Sequence, residues 1–88
     1  MEEAHRRPRL SAHARYRPED PDGPLVVLPE RAVKLNASGR EILELCDGAR
    51  TGAEVAAELR RRHPRVEHLE NDVHEFLASM RELGVLSS

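Results

Sequence analysis

The chain contains five histidines, one cysteine and a few serines, residue types that commonly serve as metal ligands or nucleophiles. Carboxylates can complete a metal site beside the histidines. His63, His68 and His74 lie five and six residues apart, so they do not share one face of a helix. Glu70 and His74 do share a face, but a pair supplies two ligands, whereas zinc sites usually need three or four. The spacing therefore favours surface residues on helices over a metal site.

The cysteine and the serines lack the surroundings that activate a nucleophile. Cys46 falls within a predicted helix, away from any basic partner in the local pattern, which is typical of a small buried apolar residue. No serine lies in a G-x-S-x-G turn, and the glycines occur singly, so the sequence contains no phosphate-binding loop. We therefore predict that the protein is not an enzyme and that it holds no metal.

The composition indicates one small domain. The 88 residues include 14 basic and 16 acidic side chains, a net charge of −2, which does not favour nucleic-acid binding. No apolar segment has the length of a signal peptide or a membrane span, so we expect a cytoplasmic protein that does not bind membranes. The charged residues 1–8 are expected to form a flexible tail, and residues 9–86 a single domain.

The first part of this domain has the pattern of strands. From Leu10 to Tyr16 apolar residues alternate with polar ones, the period of a half-exposed strand. After a proline-rich loop, Leu25 to Leu28 form a continuously apolar second strand. A turn at Pro29 and Glu30 leads to a third strand, Ala32 to Leu35. The three strands make an antiparallel meander with at least one unpaired edge.

Two capped helices follow the strands. Asn36 is a good N-cap residue, and it predicts a first helix over Ala37 to Asp47. Gly48 suits the left-handed stop of that helix. Thr51 and Glu54 form a T-x-x-E capping box, which predicts the start of a second helix.

The third helix is the longest, and it is predicted from Val66 to Leu83, after Pro64 ends the second helix. Its apolar residues form a stripe that is roughly 120° wide, which is wider than one packing seam needs. The stripe comprises Val66, Leu69, Val73, Phe76, Leu77, Met80 and Leu83. The fold class is therefore α+β, with a three-stranded antiparallel sheet followed by three helices, similar to a winged helix.

An unpaired strand beside a wide apolar helix stripe is the arrangement used for β-strand addition. An extended peptide can pair with the backbone of the edge strand while its alternate side chains enter a groove against the helix. The candidate peptide-binding residues of the strand are Arg31, Ala32, Val33, Lys34 and Leu35, and the third helix would form the other wall of the groove. The same pattern has another interpretation, in which the whole stripe packs in the core and the strand edge contacts only water.

Two further functions stay open. A winged helix-turn-helix binds DNA, and Arg60, Arg61, Arg62 and Arg65 form a basic cluster, but the third helix is acidic apart from Arg81 and would repel phosphate. Alternatively, the open strand can pair with a second copy of the chain and make a homodimer that serves as a structural interaction module.

An ordered set of short motifs runs along nearly the whole chain. The motifs are Arg7-Pro8, Leu28-Pro29-Glu30, Val33-x-Leu35-Asn36, Glu41-Ile42-Leu43, Cys46-Asp47-Gly48, Arg50-Thr51, Asp72-Val73-x-Glu75-Phe76-Leu77 and Gly84-Val85-Leu86. This set resembles the PqqD family, the peptide chaperones of pyrroloquinoline quinone (PQQ) biosynthesis, and the wider class of precursor-peptide recognition domains. The chain departs from the family pattern at Leu28, where an aromatic residue often precedes the turn, and at Gly52, where an apolar residue is common.

This resemblance implies a non-catalytic adaptor without a cofactor. Its partners would be a ribosomal precursor peptide (PqqA-like) and a radical S-adenosylmethionine enzyme (PqqE-like), to which the adaptor presents the peptide. The family binds its peptide along the third strand and against the third helix. These elements correspond to residues 31–35 and to the stripe through Val73, Phe76, Leu77 and Met80.

Overall fold

The computed structural model describes residues 2–88. It begins with one helical turn, Glu2–His5 (α1), and a two-residue strand, Arg9–Leu10 (β1). Three further strands form an antiparallel sheet in the order β2-β3-β4: Arg15–Arg17 (β2), Leu25–Val27 (β3) and Ala32–Lys34 (β4). The chain continues through three helices and a last strand: Ala37–Glu44 (α2), Gly52–Arg62 (α3), Leu69–Leu83 (α4) and Leu86–Ser87 (β5). The predicted α+β class, with its three-stranded sheet and three following helices, is confirmed.

The single strand predicted from Leu10 to Tyr16 is wrong, because two strands with different partners share that segment. Arg9 and Leu10 pair with β5, whereas β2 pairs with β3. Between them the Ser11 N–H donates to the Val85 carbonyl at 2.9 Å, and the Ala14 N–H closes a turn onto the Ser11 carbonyl at 3.1 Å. The alternation of apolar and polar residues therefore does not mark one strand: Ala12 is exposed in the intervening turn, which directs the chain from one sheet to the other.

The caps of α2 and α3 follow the predicted chemistry. Asn36 Oδ1 accepts the Gly39 N–H at 2.7 Å, and both bonds of the Thr51–Glu54 capping box are present. α2 ends at Glu44, three residues earlier than predicted, because Leu45 and Cys46 donate to carbonyls only three residues back. Such bonds tighten and terminate a helix.

Gly48 has a left-handed φ of 80°, but it lies in the loop after α2 and does not cap that helix. Its N–H donates to the Pro8 carbonyl at 2.9 Å, and Arg9 forms a β-bridge with Asp47. The left-handed conformation predicted for Gly48 is therefore confirmed. Gly48 does not end α2, however, but binds the N-terminal segment to the α2–α3 loop.

α4 starts at Leu69 and not at Val66. His68 has a left-handed φ of 60°, and a right-handed helix cannot continue through a residue in that conformation. Val66 therefore lies in the turn between α3 and α4, where it is 45% exposed. Gly84 ends α4 in the left-handed conformation, as predicted. Beyond it, Val85 and Leu86 return to the core.

The N-terminal segment, for which the sequence predicts a flexible tail, contacts the helices in the structure. Glu2–His5 form a helical turn that packs against α3 and α4, and Arg81 of α4 makes an ion pair with Glu3. The Gly52 N–H donates to the Arg6 carbonyl at 2.9 Å. Met1 lies outside the described residues.

Gly52 is the residue that lets this segment approach α3. A Cβ atom at position 52 would collide with the Glu3 backbone carbonyl, so any larger residue requires α1 to move. The departure from the family pattern at Gly52 is thus explained by close contact between two stretches of backbone.

We expect Gly52→Ala to destabilise the full chain, although alanine ordinarily favours a helix over glycine by about 1 kcal/mol in the interior. The substitution should increase amide hydrogen exchange over residues 2–6, measured by mass spectrometry. In a chain shortened to residues 8–88 the same substitution should be neutral or stabilising, because the colliding carbonyl is gone. An equal loss of stability in both chains would contradict a role for α1.

Candidate functional site

β4 is an edge strand of the three-stranded sheet. It pairs only with β3 among the described residues, and its other side has no strand partner there. Its residues alternate in exposure: Val33 is half-buried and Leu35 buried, whereas Ala32 and Lys34 are exposed. An edge of this kind is available for pairing with another chain.

The register of the sheet shows which backbone groups of β4 are free. Leu28 donates to the Arg31 carbonyl at 2.7 Å, and Leu35 donates to the Pro24 carbonyl at 2.9 Å. Because bonded and non-bonded pairs alternate along an antiparallel ladder, Val33, opposite Val26, also directs its N–H and C=O toward β3.

Ala32 and Lys34 occupy the non-bonded positions of this ladder, opposite Val27 and Leu25. Their N–H and C=O groups therefore point away from β3, at the open edge. The edge offers two donors and two acceptors, in the alternating arrangement that an added strand requires.

α4 presents a half-buried apolar row beside the core. Leu69, Phe76 and Leu83 are spaced seven residues apart and are all partly exposed. At 3.6 residues per turn they lie nearly one above another. Exposed Asp72 and Ser79 flank the row on its solvent side, so this margin of α4 is open to a partner.

The opposite margin of α4 is covered by other elements. Glu70 makes a bidentate bond with Arg60 of α3, at 2.8 and 2.9 Å, and Arg81 pairs with Glu3 of α1. The hydrogen bonds from Arg60 lower the pKa of the Glu70 carboxyl to about 2. The structure thus distinguishes the two margins, which the sequence alone did not.

The four helix residues predicted for a groove do not all lie at the surface. Val73 is 0% exposed and Leu77 2%, and Met80 is buried as well. These three residues form core in this structure, and only Phe76 of the four is partly exposed. The repeat at seven residues is the signal that could have identified Leu69 and Leu83 as surface neighbours of Phe76.

Phe76 brings α4 next to the end of β4. A Cβ atom added to Gly39 would lie 3.0 Å from Phe76 Cε2 and 3.2 Å from Asn36 Oδ1. Asn36 directly follows Leu35, so the Phe76 ring lies where β4 passes into α2. β2 is the other edge of the sheet, and there the Tyr16 hydroxyl donates to Glu44 at 2.6 Å. The juxtaposition with Phe76 is what favours β4 as the functional edge.

Exposed charges of opposite sign occur on the strand segment and on the open side of α4. Lys34 and Arg31 are exposed at the strand, where Arg31 lies 3.9 Å from Glu30. Asp72 and Glu75 are exposed on α4. Complementary charges of this kind contribute to the choice and the orientation of a partner.

The arginines at the end of α3 are engaged in ion pairs. Arg61 and Arg62 both bind Glu58, Arg62 also binds Glu41, and Arg60 binds Glu70. The hydrogen bonds from Arg61 and Arg62 lower the pKa of Glu58 to about 2. The local positive charge is therefore largely balanced by carboxylates, which weakens the case for phosphate binding.

The remaining reactive residue types are not arranged for chemistry. Burial raises the pKa of the Cys46 thiol to about 12, so the thiolate nucleophile is disfavoured. Within residues 2–88, no three His, Cys, Asp or Glu side chains come together as a metal site would require. None of the helices in this part of the chain has the length and apolarity needed to cross a bilayer.

This geometry defines a small α+β domain in which the open edge of β4 ends next to Phe76 on an apolar helix margin. The family model for PqqD, coenzyme PQQ synthesis protein D, matches residues 24–86. The chain belongs to the PqqD family.

Curated relatives and a solved structure agree with this assignment. The chain is 45% identical over 53 residues to the PqqA binding protein of Pseudomonas aeruginosa strain PAO1, a match that covers 60% of this chain and 58% of that protein. It is also 45% identical over 58 residues to the PqqA binding protein of Azotobacter vinelandii, covering 66% and 63%. The matches thus span about three fifths of the relatives' length.

The structural relative is the solution NMR structure of the PqqD truncation of Methylobacterium extorquens PqqCD. It superposes with a TM-score of 0.73 at 26% identity and covers 92% of this chain and 88% of that one. That protein is described as a functional, stand-alone recognition element for ribosomally synthesised and post-translationally modified peptides. The superposition covers more of the chain than residues 24–86, so it also includes residues that precede Pro24.

The backbone assignment of β4 can be tested by comparing two proline variants. We expect Val33→Pro to destabilise the fold by about 2–3 kcal/mol, because it removes a donor to β3 and leaves the partner carbonyl of buried Val26 unsatisfied. Ala32→Pro should cost less than about 1 kcal/mol, because its N–H has no partner in the sheet.

Urea unfolding followed by circular dichroism measures both values, and Ala32→Ser, which keeps the N–H, serves as the control. Equal destabilisation by the two prolines would contradict the assignment of inward and outward groups.

Proposed function

We propose that this chain binds a PqqA-like ribosomal precursor peptide by β-strand addition to β4. It acts without catalysis and presents the peptide to a PqqE-like radical S-adenosylmethionine enzyme in pyrroloquinoline quinone biosynthesis. The observation that carries the proposal is the pair of outward-facing residues, Ala32 and Lys34, beside the row Leu69, Phe76 and Leu83. Family membership and the names of the curated relatives support it.

Typical magnitudes of the interactions indicate how the binding energy is divided, and they assign specificity to the side chains. Four backbone hydrogen bonds at about 0.5–1.5 kcal/mol each contribute a few kcal/mol in total. Each large apolar side chain that becomes fully buried adds about 1.5–3 kcal/mol, whereas ordering a disordered peptide costs about 2–5 kcal/mol or more. Backbone pairing alone is therefore too weak, and contacts with the apolar row must supply the remainder.

Self-pairing through the same edge is the weaker candidate. Two copies of a three-residue strand would share few backbone bonds, and each would bring Arg31 and Lys34 to the interface. Like charges opposite one another on paired strands are destabilising, and lysine on an edge strand is a common protection against such pairing. A peptide that carries carboxylates meets no such repulsion.

The binding site is tested with synthetic PqqA of Pseudomonas aeruginosa. A 45% identical relative from that organism is named as a PqqA binding protein. We expect amide shifts in ¹H–¹⁵N spectra at residues 31–35 and along the open margin of α4. Ala32→Pro should weaken binding about three- to tenfold, the value of one lost hydrogen bond, whereas Ala32→Ser should bind like the unaltered chain. Shifts confined to β2 or to the α1 region would refute the proposed site.

Presentation to the enzyme is tested separately. The chain, the peptide and the radical enzyme are combined and analysed by size-exclusion chromatography with light scattering. We expect a complex that contains all three components, and a weaker association of peptide with enzyme when the Ala32→Pro chain replaces the unaltered one. If the peptide reaches the enzyme equally well without this chain, the adaptor role fails even though peptide binding stands.

A further inference from the structure

A cavity of about 390 Å³ lies where the start of α2, the end of α3 and the start of α4 meet. Its walls are mainly apolar and include Ala37, Ile42, Leu59, Val66 and Leu69. Its volume falls within the range of pockets that hold small ligands, about 300–1,000 Å³. None of its residues except Val66 and Leu69 belonged to the apolar stripe that the sequence showed.

The polar residues of the cavity already have partners. Glu41 is hydrogen-bonded to His63 at 2.8 Å and to Arg62 at 3.2 Å, and these bonds lower the pKa of its carboxyl. The Ser38 hydroxyl donates to Asn36 Oδ1 at 3.3 Å. A polar occupant would have to displace these bonds, so the cavity is best suited to a hydrocarbon group.

The cavity lies close to both components of the proposed peptide site. Leu69 belongs at once to its wall and to the half-buried row of α4. Ala37 is only three residues beyond Lys34, so their Cα atoms are at most about 11 Å apart. An extended chain paired with β4 reaches the cavity within roughly three or four further residues.

We infer that this cavity takes one large aliphatic or aromatic side chain of the bound precursor peptide. The anchor lies a few residues beyond the segment that pairs with β4, and the inference rests on the proposed function. If the peptide runs antiparallel to β4, the anchor is on the N-terminal side of the paired segment, because the cavity lies past the C-terminal end of the strand.

The exposure of Val66 supports an apolar occupant. Val66 is 45% exposed, and it is the one exposed large apolar residue in the described part of the chain. The left-handed His68 holds it outside α4, at the wall of the cavity. A side chain in the cavity would contact Val66 and reduce this exposure, which gives the position a role that core packing does not.

The inference is tested by filling the cavity from its rim. Ala37→Leu places a larger side chain at an exposed wall position in the first turn of α2. Ala53→Leu is the matched control, because Ala53 is also exposed in the first turn of a helix and lies outside the cavity. We expect Ala37→Leu to weaken binding of Pseudomonas aeruginosa PqqA about tenfold, and Ala53→Leu to leave it unchanged, as measured by calorimetry.

A second measurement uses the unaltered chain and does not depend on how a variant folds. On addition of PqqA, the methyl signals of Ile42, Val66 and Leu69 should shift, with nuclear Overhauser contacts to a single apolar peptide residue. Replacing that peptide residue by alanine should also weaken binding about tenfold.

The outcomes separate the two proposals. If β4 amides shift while these methyl groups do not, and Ala37→Leu binds like Ala53→Leu, the cavity inference is overturned and the proposed function stands. If the unaltered chain does not bind PqqA at all, the proposed function fails and the inference fails with it.

Discussion

The backbone of β4 is hydrogen-bonded on one side only, and this constraint governs what can cover the site. A backbone N–H or C=O that is buried without a partner costs free energy comparable to a lost hydrogen bond. Water satisfies Ala32 and Lys34 while the edge is open. Any molecule that covers the half-buried apolar row of α4 and excludes water from the β4 edge must therefore supply its own hydrogen-bond donors and acceptors, as an extended polypeptide does. A purely apolar ligand does not meet this requirement.

The ion pairs of α4 complement this constraint by fixing which side of the helix is available. Glu70 and Arg81 bind to Arg60 and Glu3 on α3 and α1, so one margin is held against the rest of the protein. Such exposed pairs contribute little to stability one by one. Their consequence is geometric, because they leave the margin of Leu69, Phe76 and Leu83 open, with Phe76 near the end of β4 and Leu69 at the wall of the cavity.

Most of the fold was predictable from local chemistry, whereas the surfaces were not. The caps at Asn36 and Thr51 act within a few residues, and the sequence therefore located the starts of α2 and α3. Non-local contacts decided the remainder: the pairing of β1 with β5 divides an apparently continuous strand, and contact with Glu3 explains Gly52. Burial of Val73 and Leu77 likewise depends on which elements surround α4, so periodicity identified an apolar stripe without separating its core from its open margin.

The pairing of Arg9 with Ser87 has a consequence for how this domain can be connected to others. Because β1 and β5 are neighbours and Glu3 of α1 is paired with Arg81 near the end of α4, both ends of the folded unit lie near the end of α4, and neither belongs to the sheet that contains β4. Domains with adjacent ends tolerate fusion and insertion well. A larger protein can therefore carry this unit as an appended or internal module, through one short junction, without obstructing the surface that receives the peptide.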